Sequence, residues 1–248
     1  MKNNNSNIKT ALLMDASIGR SPMSSTRKHA YAAGVLYLLT FVSIPTLVLY
    51  SSVHSPNYIM GSGPDNSVLI GGILEIIVAL TGIGTAVALY PVLKNQNEGS
   101  ALGLVGSRVL EASTIFIGVM CLLTVVNLRQ NAAGSEALVT SRTLVIMYDR
   151  MFLIGQSFMP AVNDILLGFL FYHSRLVPRS LSLIGLIGGP LLITGDILVL
   201  FGFIGQHDST TGLFAIPVAV FEFSLGIYLI VKGFKSTVAK DEDTNEII

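Results

Sequence analysis

Six long apolar stretches constrain this 248-residue chain more than any other feature of its sequence. A helix needs about 20 mostly apolar residues to cross the hydrocarbon core of a bilayer. The stretches lack the alternation of polar and apolar residues that is typical of membrane β-strands. The sequence therefore predicts an all-α, polytopic integral membrane protein built as a bundle of six transmembrane helices. The predicted spans cover about residues 30–50, 68–92, 101–127, 144–172, 181–204 and 213–232.

The composition excludes several other classes of protein. Charged residues make up 12% of the chain, against about 25% in a soluble domain. Lysine plus arginine equal aspartate plus glutamate in number, whereas a nucleic-acid-binding protein normally has a basic excess. The single cysteine, Cys121, excludes an intramolecular disulfide framework and a cysteine-rich metal site. We therefore expect the lipid bilayer, and no nucleic acid, among the partners.

The distribution of basic residues predicts the orientation of the spans. Cytoplasmic flanks of membrane proteins carry an excess of Lys and Arg. Only Arg129 and Arg142 flank the spans on one side. Eleven bases lie on the other side: Lys2, Lys9, Arg20, Arg27, Lys28, Lys94, Arg175, Arg179, Lys232, Lys235 and Lys240. This pattern predicts a multi-pass protein of a bacterial cytoplasmic (plasma) membrane with both termini inside.

The chain divides into three parts by polarity. Residues 1–29 are polar and are expected to form a disordered cytoplasmic segment, since they contain no signal-peptide apolar region. Residues 30–232 form the predicted transmembrane domain, and residues 233–248 form an acidic cytoplasmic tail. Met23 is a plausible alternative start of translation.

Eight ionisable residues fall within the predicted spans, where each charge costs about 2.5–3.5 kcal/mol at the helix centre. By depth they form an outer layer (Glu75, Asp149, Arg150, Asp196 and Glu222) and an inner layer (Arg108, Glu111 and Asp164). Six acids thus meet two bases, so we expect pairing, protonation, a bound cation or a hydrated cavity to compensate the excess. These eight residues are the candidate intramembrane polar site.

Two local patterns sharpen this candidate site. Arg108 and Glu111 are three residues apart and share one face of a helix, so they can form an internal ion pair. Alternatively, Arg108 holds an anionic headgroup or substrate. In the fourth span Pro160 removes a backbone donor, and a kink there would place Gln156 and Asn163, as supporting polar groups, beside Asp164 in a pocket at membrane depth.

Catalytic and metal-binding motifs are missing from the sequence. The four histidines lie at span ends or in connections, and none has the His-x-x-x-His spacing of a zinc site. Gly-x-Ser-x-Gly and phosphate-binding glycine loops are also missing. We therefore expect no cofactor, no metal and no catalytic residue. The missing motifs favour a protein that is not an enzyme.

Four segments carry a resemblance to a known family. They are the Ala-Leu-Tyr-Pro-Val-Leu-Lys run of residues 88–94, the Arg108-x-x-Glu111 pair, the Phe-Tyr-His-Ser-Arg-Leu-Val-Pro-Arg run of residues 171–179 and the glycine-rich residues 184–189. Together they resemble the bacterial membrane family named domain of unknown function 4386, over about residues 27–235. The resemblance implies a multi-span membrane protein and transfers no catalytic residue.

Three functional hypotheses follow. The leading one is a small carrier, or a lipid- or solute-binding membrane protein, whose acidic polar interior takes a proton, cation or small solute. The second is a non-catalytic accessory, immunity or stress-response subunit that binds a membrane protein partner. The third is an intramembrane lipid-modifying enzyme. Acids that converge on a cavity open to one leaflet would favour the third, whereas charges that pair off without a cavity would favour the second.

Overall fold

A computed structural model describes residues 23–61 and 64–235 of the chain. Most of the predicted N-terminal segment and of the acidic tail, together with the start at Met1, lie outside these residues. Within them, the structure is all-helical and contains six helices long and apolar enough to cross a membrane. We number them α1 (Ser25–Leu49), α2 (Asn66–Leu93), α3 (Glu98–Gln130), α4 (Gly134–Ser174), α5 (Arg179–Leu200) and α6 (Ser209–Val231).

The apolar side chains on the outside of the bundle identify its surroundings. Leu47, Val48 and Leu213 are each more than 60% exposed. Other large apolar side chains are exposed along every helix. Such a surface would be unusual in water, where large apolar patches are rare. The six apolar helices and this surface place the chain in a lipid bilayer as a multi-pass membrane protein, as the sequence predicted.

The six helices form a ring in their sequential order. Each helix packs against the one before it, and α6 packs against α1 to close the ring. All helices run antiparallel to their neighbours, so α1 begins and α6 ends at the same face. We call this the termini face, and we call the other one the opposite face.

Small residues allow the close approaches at two seams of the ring. At the α1–α6 seam Gly34 faces Gly226, and a Cβ at Gly34 would lie 2.7 Å from the Gly226 carbonyl oxygen. At the α4–α5 seam a Cβ at Gly189 would lie 2.7 Å from the Ala161 carbonyl oxygen. Close backbone approach at small residues is a common way to pack membrane helices.

All six helices begin before the predicted spans, and the differences at α4 and α6 bear on the site. α4 starts at Gly134, ten residues before the expected span, because its first turns pack beside the α1–α2 connection at the opposite face and need not enter the apolar core. α6 starts at Ser209, four residues early. Because α6 starts earlier, each of its side chains lies deeper below the opposite face than the sequence predicted.

The α1–α2 connection is held against the end of α3. Arg129 forms an ion pair of 3.1 Å with Asp65 and lies over the Tyr58 ring. The Tyr58 hydroxyl donates a hydrogen bond of 2.6 Å to the same aspartate. These contacts hold Tyr58 and Asp65, on the connection that carries His54, against α3.

Candidate functional site

A cavity of about 820 Å³ lies inside the helix ring. Residues of all six helices line it, and its walls are mainly apolar, with Ile44, Phe152 and Val218 among them. Its mouth, at the opposite face, is formed by His54, Gln206, His207 and Asp208. The lining residues farthest from this mouth are Arg108, Glu111 and Glu222.

Two irregular helical segments shape the wall of the cavity. In α1 a 3₁₀ turn at Phe41–Ser43 precedes Pro45. In α4 a π-helical segment, Leu153–Phe158, ends just before Pro160. Because proline has no N–H, Pro160 leaves the regular hydrogen-bond pattern incomplete where the π-helical segment lies. The irregularity predicted in the fourth span takes this form and turns Gln156 and Ser157 to the cavity.

Arg108 is the centre of a buried charge network at the floor of the cavity. Its guanidinium donates to both carboxylate oxygens of Glu111, at 3.0 and 3.2 Å. It also donates to Glu222 at 2.7 Å and to the Tyr37 hydroxyl at 3.3 Å. The side chain is 2% exposed. The network therefore links α1, α3 and α6 about 20 Å below the start of α6, from a rise of 1.5 Å per residue.

The same network extends to α4 through neutral groups. Asn163 donates a hydrogen bond of 2.7 Å to Glu111 and accepts one from Ser107. Asp164, the next residue, is fully buried, and neither of its carboxylate oxygens has a hydrogen-bond partner among the described residues. One arginine therefore faces two acids directly, and a third acid lies buried on the neighbouring helix.

Two further acids lie behind the cavity wall. Glu75 accepts hydrogen bonds from the Tyr148 hydroxyl at 2.7 Å and from the Gln156 amide at 3.0 Å. Asp196 accepts one from the Ser157 hydroxyl at 2.6 Å. Their three donors line the cavity themselves. Glu75 and Asp196 thus contribute to its polar wall through those donors.

The predicted two-layer arrangement is wrong for Glu222, which lies in the same layer as Arg108. The sequence predicts Glu222 in the outer layer, but it pairs with Arg108 because α6 begins earlier and carries it deeper. Arg150 is exposed and lies outside the cavity lining. Asp149 lies at the mouth of the cavity, where it meets His54. The Arg108–Glu111 pair predicted from spacing is confirmed, at 3.0 Å.

The cavity mouth holds a cluster that the sequence did not predict. His54 Nε2 lies 2.9 Å from Asp149 Oδ1, and His54 Nδ1 lies 2.8 Å from the Tyr50 carbonyl oxygen. The hydrogen bond to Asp149 raises the pKa of His54 above that of a free imidazole. His207 Nε2 lies 3.7 Å from the same Asp149 oxygen. These residues come from two connections and α4, so spacing along the chain gives no signal of their meeting.

Tyr37 and Tyr148 were also missed as functional residues. The Tyr37 hydroxyl accepts a hydrogen bond from the Arg108 guanidinium, and the Tyr148 hydroxyl donates one to the Glu75 carboxylate. The available signal was the tyrosine hydroxyl itself, since a buried Tyr in an apolar helix needs a hydrogen-bond partner.

Comparison with known proteins places the chain in a family. Residues 32–233 match the family described as Domain of unknown function (DUF4386). No curated protein and no solved structure matches the chain. The match covers most of the chain and all but the first turns of its helical bundle, so the protein belongs to the DUF4386 family, as the resemblance implied.

Proposed function

We propose that this DUF4386 membrane protein binds an amphiphilic solute with a cationic head and an apolar body, which is the binding step that a small carrier needs. The observation that carries the proposal is the floor of the cavity, where one arginine faces two acids beneath apolar walls. The same chemistry would serve a protonated amine or another organic cation.

The size and walls of the cavity fit a molecule of this kind. Ligand pockets usually enclose about 300–1,000 Å³ and are mostly apolar, with a few polar groups that fix orientation. At about 820 Å³ the cavity falls within this range. Burial of the solute's apolar body against residues such as Phe152 and Leu192 would supply about 25 cal/mol for each Å² removed from water.

The charge of the floor favours a cation over an anion. Arg108 already donates to Glu111, Glu222 and Tyr37, so few of its donors remain for an incoming anion. Glu222 holds Arg108 through one oxygen, so its other oxygen is available to a donor in the cavity. Two carboxylates against one guanidinium leave an excess negative charge. In a medium of low dielectric constant that excess is costly unless a proton or cation compensates it.

The proposed location follows from the Lys and Arg distribution. We infer that the protein lies in a bacterial cytoplasmic membrane with both termini inside, so that the cavity opens to the outside. Cys121 is buried within α3, so the chain gives a low background for cysteine labelling. It therefore suits a direct test of orientation.

Two single cysteine substitutions test this orientation. Ser135→Cys lies exposed at the opposite face, and Asn95→Cys lies exposed at the termini face. We expect a membrane-impermeant maleimide to label Ser135→Cys in intact cells and to label Asn95→Cys only after permeabilisation. The reverse pattern would show that the cavity opens to the cytoplasm.

A pair of isosteric ions of opposite charge tests the binding proposal. We expect the purified protein in detergent to bind tetraphenylphosphonium more tightly than tetraphenylborate in equilibrium dialysis. Glu222→Gln keeps an acceptor for Arg108 but removes one negative charge from the floor. We expect it to weaken tetraphenylphosphonium binding about tenfold, which equals about 1.4 kcal/mol.

Glu136→Gln is the matched control, since it makes the same change on an exposed residue of the opposite face. It should bind both ions as the wild type does. Preferential binding of tetraphenylborate, or equal affinity of Glu222→Gln and wild type for tetraphenylphosphonium, would show that the floor does not select a cation.

A further inference from the structure

Three segments that are distant in sequence bring two imidazoles and a carboxylate together at the cavity mouth. His54 lies on the α1–α2 connection, Asp149 on α4 and His207 on the α5–α6 connection. Each offers one ligand atom, and these atoms all lie within 4.8 Å of one another. The cluster is separate from the charge network at the floor.

The hydrogen bonds of His54 determine which ring nitrogen carries a proton and which one presents a lone pair to the cluster. The Tyr50 carbonyl can only accept, so Nδ1 carries a proton and donates across the 2.8 Å contact. In the neutral ring Nε2 then has no hydrogen, yet it lies 2.9 Å from a carboxylate oxygen of Asp149. Two acceptors at this distance require a positive charge between or on them, either a second proton on the ring or a metal ion.

The donors and distances of the cluster also fit a bound metal ion. Zn²⁺ binds histidine nitrogen at about 2.0–2.1 Å and carboxylate oxygen at about 2.0–2.2 Å. In a tetrahedral site this places ligand atoms about 3.4 Å apart. The Asp149 oxygen lies 2.9 Å from one imidazole nitrogen and 3.7 Å from the other, on either side of that value. A second proton on His54 would account for the first contact but would give His207 no role.

We propose that His54, Asp149 and His207 bind a divalent transition-metal ion of the zinc type. Two imidazoles and one carboxylate suit zinc and its neighbours, whereas Mg²⁺ and Ca²⁺ prefer oxygen ligands alone. Three protein ligands leave a coordination position open. Because both histidines line the cavity, that position faces a molecule entering it.

Neighbouring groups support the ligands as they do in known metal sites. A ligating histidine usually donates its other N–H to a carbonyl or carboxylate, which fixes the ring, and Tyr50 does this for His54. The Gln206 amide donates to the Asp149 backbone carbonyl at 2.8 Å. This contact ties the segment next to His207 directly to α4. A bound ion would therefore join three segments around the mouth of the cavity.

Titration with zinc alone tests the site. We expect the purified, chelator-treated and tag-free protein in detergent to bind one equivalent of Zn²⁺ by calorimetry, with a rise in melting temperature, and to give no such response to Mg²⁺. His207→Gln should weaken zinc binding more than about tenfold, because the loss of even an outer-shell partner of a ligand costs about 10–100-fold in metal affinity. His207 is largely exposed, so this change leaves the fold intact. Asp149→Asn should have a similar effect.

Two controls separate this site from adventitious binding and from the cation proposal. His173→Gln removes another exposed histidine, at the termini face, and should bind zinc as the wild type does. Glu222→Gln changes the floor of the cavity and should also bind zinc normally. Absence of stoichiometric zinc binding would overturn the proposal. So would equal zinc affinity in His207→Gln and wild type, or an equal loss in His173→Gln.

Discussion

Arg108→Met is expected to destabilise the folded protein by about 3–5 kcal/mol, which is the usual cost of removing one partner of a buried ion pair. The change leaves Glu111 and Glu222 without their shared cation in a site where Arg108 is 2% exposed. Thermal unfolding in detergent measures the effect. Buried Cys121 can report it by reacting with a thiol-specific fluorophore as the bundle opens.

Removing the opposing acids should reverse much of this loss. In Arg108→Met, Glu111→Gln, Glu222→Gln the floor carries no charge from these three positions. We therefore expect the triple variant to melt well above Arg108→Met. Arg150→Met is the matched control, because Arg150 is exposed outside the cavity lining, and it should melt close to the wild type. If Arg108→Met melts like Arg150→Met, the network does not hold α1, α3 and α6 together.

The network also shows what kind of contact a sequence can predict. Arg108 and Glu111 are three residues apart on one helix, so their pairing depends only on helix geometry. Glu222 and Tyr37 reach Arg108 from other helices. Their contacts depend on where each helix starts and on how it is rotated in the ring. An error of four residues in the start of α6 was enough to place Glu222 in the wrong layer.

The global fold was easier to predict from the sequence than the site, because it depends less on contacts between helices. Six spans follow from apolar length alone, since an apolar stretch of this length has few alternatives in a bilayer. The order of the helices around the ring does not follow, because all their faces are apolar and one face is hard to distinguish from another. His54 and His207 illustrate the limit. They are separated by four helices, and only the closed ring brings both to Asp149.

The second large loss of stability is expected at the α1–α6 seam, which closes the ring. A Cβ at Gly34 would lie 2.7 Å from the Gly226 carbonyl oxygen and 3.0 Å from the Ile230 backbone nitrogen. Backbone atoms cannot turn away as a flexible side chain can, so the two helices would have to separate. We expect Gly34→Leu to destabilise the protein by about 3 kcal/mol, at the upper end of typical overpacking costs, in the same melting assay.

A graded series distinguishes overpacking from a general effect of replacing glycine. Gly34→Ala should cost less than Gly34→Leu, because it adds only the first clashing atom. Gly106→Leu is the matched control, since a Cβ at Gly106 meets no atom within 4 Å, and it should melt close to the wild type. Equal melting of Gly34→Leu and Gly106→Leu would mean that the seam can open without loss of stability.

The α1–α6 seam matters for the cavity because it is the contact that closes the ring. Arg27 already ties the two helices at the termini face, where its guanidinium donates to the Leu229 carbonyl at 2.7 Å. Farther from the termini face along the same seam, Tyr37 of α1 and Glu222 of α6 both form hydrogen bonds with Arg108. We therefore expect folded Gly34→Leu to lose affinity for tetraphenylphosphonium as well as stability. Gly106→Leu should keep both, because α3 meets the cavity through its other face.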